Sequence, residues 1–137
     1  MPAQAEENVG AGSTVPPSGY AFDQPELLAD QRLWGIAHAA RLLGLACARQ
    51  VHAAAAEAWV DWQAREAPRI LALNATLGRH YFQRVEVPPA AIAAALGLPT
   101  DLDLAPAVLT SACATLAATL AQPNYDLARR RATLLKP

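Results

Sequence analysis

Residues 26–67 read ELLADQRLWGIAHAARLLGLACARQVHAAAAEAWVDWQAREA, a stretch without proline in which good helix formers dominate. This composition predicts one long helix, or two helices broken near Gly35 or Gly44. Asp23 is the expected N-cap, with Pro25 in the first turn. A continuous helix over this stretch would extend ~63 Å at 1.5 Å per residue, longer than a compact domain of this size needs. Leu33, Ile36, Ala40, Leu43, Cys47, Val51, Ala54, Ala58 and Trp62 recur at helical spacing without a polar interruption. Such a row is the seam of a helix that faces another helix. Ala40, Ala54 and Ala58 let the partner approach closely, so tight antiparallel packing is expected rather than a bulky leucine zipper.

Proline and glycine punctuate the chain on either side of this stretch. Residues 1–24, MPAQAEENVGAGSTVPPSGYAFDQ, mix Gly, Ser, Pro and acids with little periodic hydrophobicity, and read as a flexible acidic arm. Tyr20 and Phe22 are its two aromatics and are candidate anchors on a partner or on the body. Pro68 is expected to end or kink the long helix. A second helix then runs over 69–84 through Ile70, Leu73, Leu77 and Tyr81, although parity at Tyr81, Val85 and Val87 also allows an extended end. Further helices are expected at 89–96, stopped by Gly97, and at 106–121 with Leu109, Ala112, Leu116 and Leu120 on one face. Asn124 is the expected cap of a final helix. The fold class is therefore all-α, a bundle of four to five helices over residues 25–137 with one long N-terminal helix and an extended, unstructured N-terminal arm.

Of the 137 residues 33 are Ala, against 31 of Leu, Ile, Val and Phe combined, so large core side chains are scarce. Each Ala buries little area, which predicts a thin core that needs close helix packing or a partner. The formal charge of -1 excludes a wholesale nucleic-acid binder. That near neutrality is an average: residues 1–31 carry -5, residues 32–128 carry 0 and residues 129–137 carry +4. Opposite charge at the two ends suggests head-to-tail association or docking on separate partners. Arg129, Arg130 and Arg131 are the candidate contacts at the basic end. Consecutive helical residues point about 100° apart, so these three do not make one phosphate-binding patch. Cys47 and Cys113 lie far apart with no CxxC and no His at ligand spacing. They are expected as buried small hydrophobes, with neither zinc nor a disulfide. No apolar run is long enough to span a membrane and no leader pattern opens the chain, which makes cytoplasm the expected compartment.

A second row, Trp34, His38, Arg41, Leu45, Arg49, His52, Ala56, Trp59 and Gln63, steps at the same helical spacing on a different face. Trp and Arg are enriched where partners bind tightly, because each couples a large contact area to a polar handle. Trp34, His38, Arg41, Arg49, His52 and Trp59 are therefore the candidate interaction residues. The alternative is a face packed against other helices of the same chain.

The segment Ala37-His38-Ala39-Ala40-Arg41-Leu42-Leu43-Gly44 resembles histidine phosphotransfer domains, with Leu42 where that family carries Gly. The resemblance implies an exposed His38 that accepts a phosphoryl group beside Arg41. The Ala-rich helix with Trp59 and Trp62 is similar in composition to the phasins, which implies an amphipathic coat on an apolar granule. His38 and His52 stand ~21 Å apart along a helix, so no metal site joins them. No Glu-x-x-His pair, phosphate loop or nucleophile elbow is present. The sequence thus predicts a non-enzymatic small subunit or adaptor, without cofactor or metal, that docks on a protein partner or on copies of itself.

Overall fold

The proline-free stretch folds as a helical hairpin. In the computed structural model, which describes residues 17–137, α1 spans Pro25–Arg49 and α2 spans Ala53–Phe82. The short helix α3 (Pro89–Ala95), then α4 (Pro106–Leu120), a tight turn of 3-10 helix at Pro123–Tyr125, and α5 (Leu127–Leu134) follow. No strand occurs among the described residues, and the long N-terminal helix expected from the sequence is α1. Its N-cap is Gln24 rather than Asp23, with Pro25 at the first helical position.

The hairpin turn lies at residues 50–52, not at Gly35 or Gly44. Val51 takes a left-handed φ of 57°, and His52 begins α2 by accepting the Ala55 N–H on Nδ1 at 3.2 Å. A β-branched residue in that region costs of order 1 kcal/mol. The His52 cap offsets part of it by satisfying one of the free amides at the helix start. The apolar seam therefore holds from Leu33 to Cys47 and then fails: Val51 is 87% exposed, because the turn swings it away from the core. Gly44 stays helical for a different reason. A Cβ there would collide with the ring of Trp59, so this glycine sets how closely α1 and α2 approach.

Pro68 does not end α2. It sits on the solvent side, as does Ala64, whose carbonyl it leaves without an amide partner. Water can hydrate that carbonyl, and the remaining cost is offset by the packing of Trp62, Glu66, Leu73 and Leu77 on either side of the proline. The helix stops instead at Phe82, two residues short of the expected end. Gln83 adopts a left-handed φ of 59° and Arg84 donates back to the Gly78 carbonyl at 3.3 Å. Gly78 is needed there, since a Cβ would collide with the Arg84 carbonyl.

The core lies between α1 and α2 and is closed by α4, with α3 and α5 on its flanks. Cys47 and Cys113 are buried as expected, but they are bonded to each other, with Cα atoms 5.5 Å apart. This corrects the expectation of free thiols. Their sequence separation of 66 concealed that the end of α1 lies against the middle of α4. In the chain-entropy account, closing a loop of that length disfavours the unfolded state by about 4 kcal/mol. For α5 the cap is Asp126, not Asn124; its Oδ1 accepts the Arg129 N–H at 3.2 Å. The buried Glu66 carboxylate accepts the Leu127 N–H at 3.0 Å, placing negative charge at the same helix start.

Residues 1–16 of the acidic arm lie outside the described residues. Residues 17–24 have no helix or strand of their own, yet they are held to the body. The Gly19 N–H donates to the Ala95 carbonyl at 2.8 Å, and Gln31, fully buried, accepts the Ala21 N–H on Oε1 at 2.8 Å. The Tyr81 hydroxyl donates to the Gly19 carbonyl at 2.7 Å and accepts from Gln31 Nε2 at 2.8 Å. Tyr20 packs on the core, whereas Phe22 is 76% exposed.

Burial raises the Tyr81 hydroxyl above its ordinary value of 10.0, the Gln31 hydrogen bond lowers it in part, and Tyr20 adds to the rise. A phenol whose folded value is raised contributes stability below its unfolded value, and that contribution is lost as pH climbs through the folded value. Unfolding titrations should therefore show stability falling above about pH 10. In Tyr81→Phe that component should disappear, at a cost of about 1–3 kcal/mol at neutral pH for the polar partners left behind. An unchanged alkaline limb in the variant would contradict this account of Tyr81.

Candidate functional site

The Trp/His/Arg row turns inward at its centre. Because the chain reverses at residues 50–52, the first half of the row on α1 faces the second half on α2. Trp34 is buried, and its Nε1–H donates to Asn74 Oδ1 at 2.6 Å. His38 is only 5% exposed and stacks on Trp34, with ring centroids 4.8 Å apart. Trp59 is half-buried against Gly44, and Trp62, which the sequence places in the apolar seam, is fully buried, donating from Nε1 to the Tyr125 carbonyl at 2.7 Å. Trp34 and His38 are thus interior residues, not parts of an outer contact face. Arg49 is exposed near the turn, and His52 is the helix cap.

These side chains enclose a pocket of about 170 Å³ between α1 and α2. All three tryptophans of the chain line it, together with His38, Arg41 and Asn74. Gln63 and Pro89 also contribute, and both are exposed, so they mark the mouth. The sequence reading missed Trp62, Asn74 and Pro89 as members. The usable signal was that every tryptophan lies within two facing stretches of one hairpin.

Two polar atoms of the lining residues are buried behind the wall without a hydrogen-bond partner. His38 Nε2 lies 2.7 Å from the Pro99 carbonyl, which can only accept, so Nε2 carries the proton. In the neutral ring Nδ1 is then an acceptor, and it has no partner. The Trp59 Nε1–H donor is also buried without a partner. Each unmet buried polar group costs about 1–3 kcal/mol. This arrangement gives the phosphotransfer reading no support. A phosphoryl acceptor must present a ring nitrogen to its donor, whereas His38 is enclosed and its Nε2 is engaged. No group of three metal-binding side chains occurs among the described residues.

The charged ends meet within one chain. Arg131 Nε donates to Asp30 Oδ1 at 2.8 Å, and its Nη2 lies 3.8 Å from Glu26. The hydrogen bond that Arg131 donates to Asp30 raises the guanidinium above its ordinary value against the opposing effect of burial. Arg130 reaches Asn124 at 3.4 Å and lines a groove with Tyr20, while Arg129 is exposed. The complementarity that suggested head-to-tail association is satisfied in part by clasping α5 to α1.

The outward surface left by this packing is most distinctive on α4. From Leu104 to Tyr125 the chain carries no charged residue. Ala107, Ser111, Ala114 and Ala118 form an exposed row at helical spacing, flanked by Val108 at 52% exposure. Thr110 and Thr115 hydroxyls donate back to helix carbonyls, Thr110 to Pro106 at 2.9 Å and Thr115 to Ser111 at 3.3 Å. Their donors are therefore satisfied before anything covers the face. Comparison of the chain with protein-family models, curated proteins and solved structures finds no match.

If the clasp acts within the chain, Arg131→Ala should lower stability by about 1 kcal/mol in urea unfolding, while Arg129→Ala should have no measurable effect. Equal effects from the two variants would show that Arg131 contributes no more than a solvated cation.

Proposed function

We propose that the protein is a non-enzymatic helical subunit that associates through the outer face of α4, and that the simplest occupant of this face is α4 of a second copy. The observation that carries this reading is the absence of charge over Leu104–Tyr125 on an exposed helix. A solvated face of a soluble helix ordinarily alternates apolar residues with charges. Here small side chains at Ala107, Ser111, Ala114 and Ala118 allow another helix to approach closely. Two such faces meet across a two-fold axis without juxtaposing like charges, and the self-satisfied threonines limit the desolvation cost. The face offers one helix of 15 residues. A contact that small belongs with weak interfaces below ~1,200 Å², so micromolar rather than nanomolar affinity is expected.

The face differs from the one expected on the sequence. Trp34 and His38 lie in the interior, and Arg131 is engaged within the chain. No helix among the described residues is long and apolar enough to cross a membrane. The disulfide favours an oxidising compartment over the cytoplasmic placement expected from the sequence, because such bonds persist where thiols are not continuously reduced.

Two measurements test these readings. Sedimentation equilibrium should show a reversible dimer that survives about 1 M NaCl, where charge pairing is screened. Ala114→Arg should abolish it, and Arg129→Ala should leave it intact. A monomer at all concentrations, or a dimer lost in salt and retained in Ala114→Arg, would refute the α4 interface. For the compartment, thiol trapping during lysis of the native cells should leave both cysteines unlabelled. Full labelling would return the protein to a reducing location.

A further inference from the structure

We propose that the tryptophan-lined pocket binds a small planar aromatic carboxylate. Its size comes first. A cavity of ~150 Å³ accepts benzene, and the pocket of about 170 Å³ therefore suits one substituted ring. Its walls come next: Trp34, Trp59, Trp62 and the His38 ring offer flat apolar surface for stacking or edge contact.

The polar lining then selects the substituent. Arg41 supplies the charge preference. It lies half-buried in the lining, and among the described residues it has no ion-pair partner. No carboxylate lines the pocket. A cationic ligand would meet aromatic faces without a counter-charge and beside a guanidinium, whereas a carboxylate gains a charge-assisted hydrogen bond. The bound state thus places the ring among the tryptophans and the carboxylate at Arg41.

The chain reports on its own pocket, because each of its tryptophans contributes an indole N–H signal to a heteronuclear NMR spectrum. The probe is para-hydroxybenzoate, with neutral para-hydroxybenzamide and cationic tyramine as comparisons. Titration of the full chain with para-hydroxybenzoate should move the Trp59 indole signal saturably, with a dissociation constant on the order of 1 mM for a ligand of so few atoms. The amide and tyramine should each bind about tenfold more weakly or less, the effect of losing one charge-assisted hydrogen bond. Arg41→Gln, at a half-buried position, should show the same tenfold loss for the carboxylate while the Trp34 and Trp62 indole signals stay in place. A Trp59 signal that does not move would overturn the proposal. So would equal binding of the amide or tyramine to the unmodified chain, which tests charge selection without any substitution. Undiminished carboxylate binding by Arg41→Gln would do the same.

Discussion

The contact of Trp59 with Gly44 is the constraint on which the rest of the structure depends. Without a side chain at Gly44, the indole lies directly on the α1 backbone and the two long helices run close together past the turn. That spacing decides what their facing residues do. Cys47 lies one turn beyond Gly44 and meets Cys113, so α4 is bonded across the same end of the hairpin. Farther from the turn, Trp34 and His38 face α2 side chains and become interior. The outer side of α4 follows as a remainder: its buried side, Cys113, Leu116 and Leu120, is used against the hairpin, which leaves the uncharged row outward.

Much of this was legible in the residues. Pro25, Pro89 and Pro106 each start a helix, as a ring that fixes φ and lacks an amide donor should. Pro68 stays inside α2 because tertiary packing outweighs the local rule: Trp62 and Glu66 before it and Leu73 and Leu77 after it are buried, holding both halves of the helix to the core. The hairpin turn was hidden for the opposite reason. Nothing in Gln50-Val51-His52 has strong turn chemistry, and only the tertiary fit holds a valine in the left-handed region. The helical row of Trp, His and Arg was visible, but a periodic face on one helix becomes a lining or a surface according to where the chain reverses.

The polar groups show the same limit. Gln31 continues the Trp34 and His38 row by one step toward the N-terminus, and its burial orders residues 19–21 through paired hydrogen bonds. A glutamine in that position reads from sequence as solvated. Its role appears only once Tyr81, fifty residues away, is placed beside it. Glu66 is a parallel case, buried because the first amide of α5 needs an acceptor. These contacts join ends of the chain whose separation no local pattern can encode.

The shortage of large side chains ties the pocket to the fold. An Ala-rich hairpin gains little from burial, so cohesion depends on close backbone approach, a covalent crosslink and a few large rings. Rings are stiff and flat, and three indoles set around small residues such as Ala37 cannot interdigitate as branched aliphatic side chains do. The gap they leave has their own shape. It is bounded by the faces and edges of rings, and it is the size of one more. Filling it with a Leu or Ile from this chain would strengthen the core by ordinary packing. The chain instead keeps Arg41, Gln63 and Asn74 at that gap, a set that suits an aromatic acid better than an aliphatic side chain.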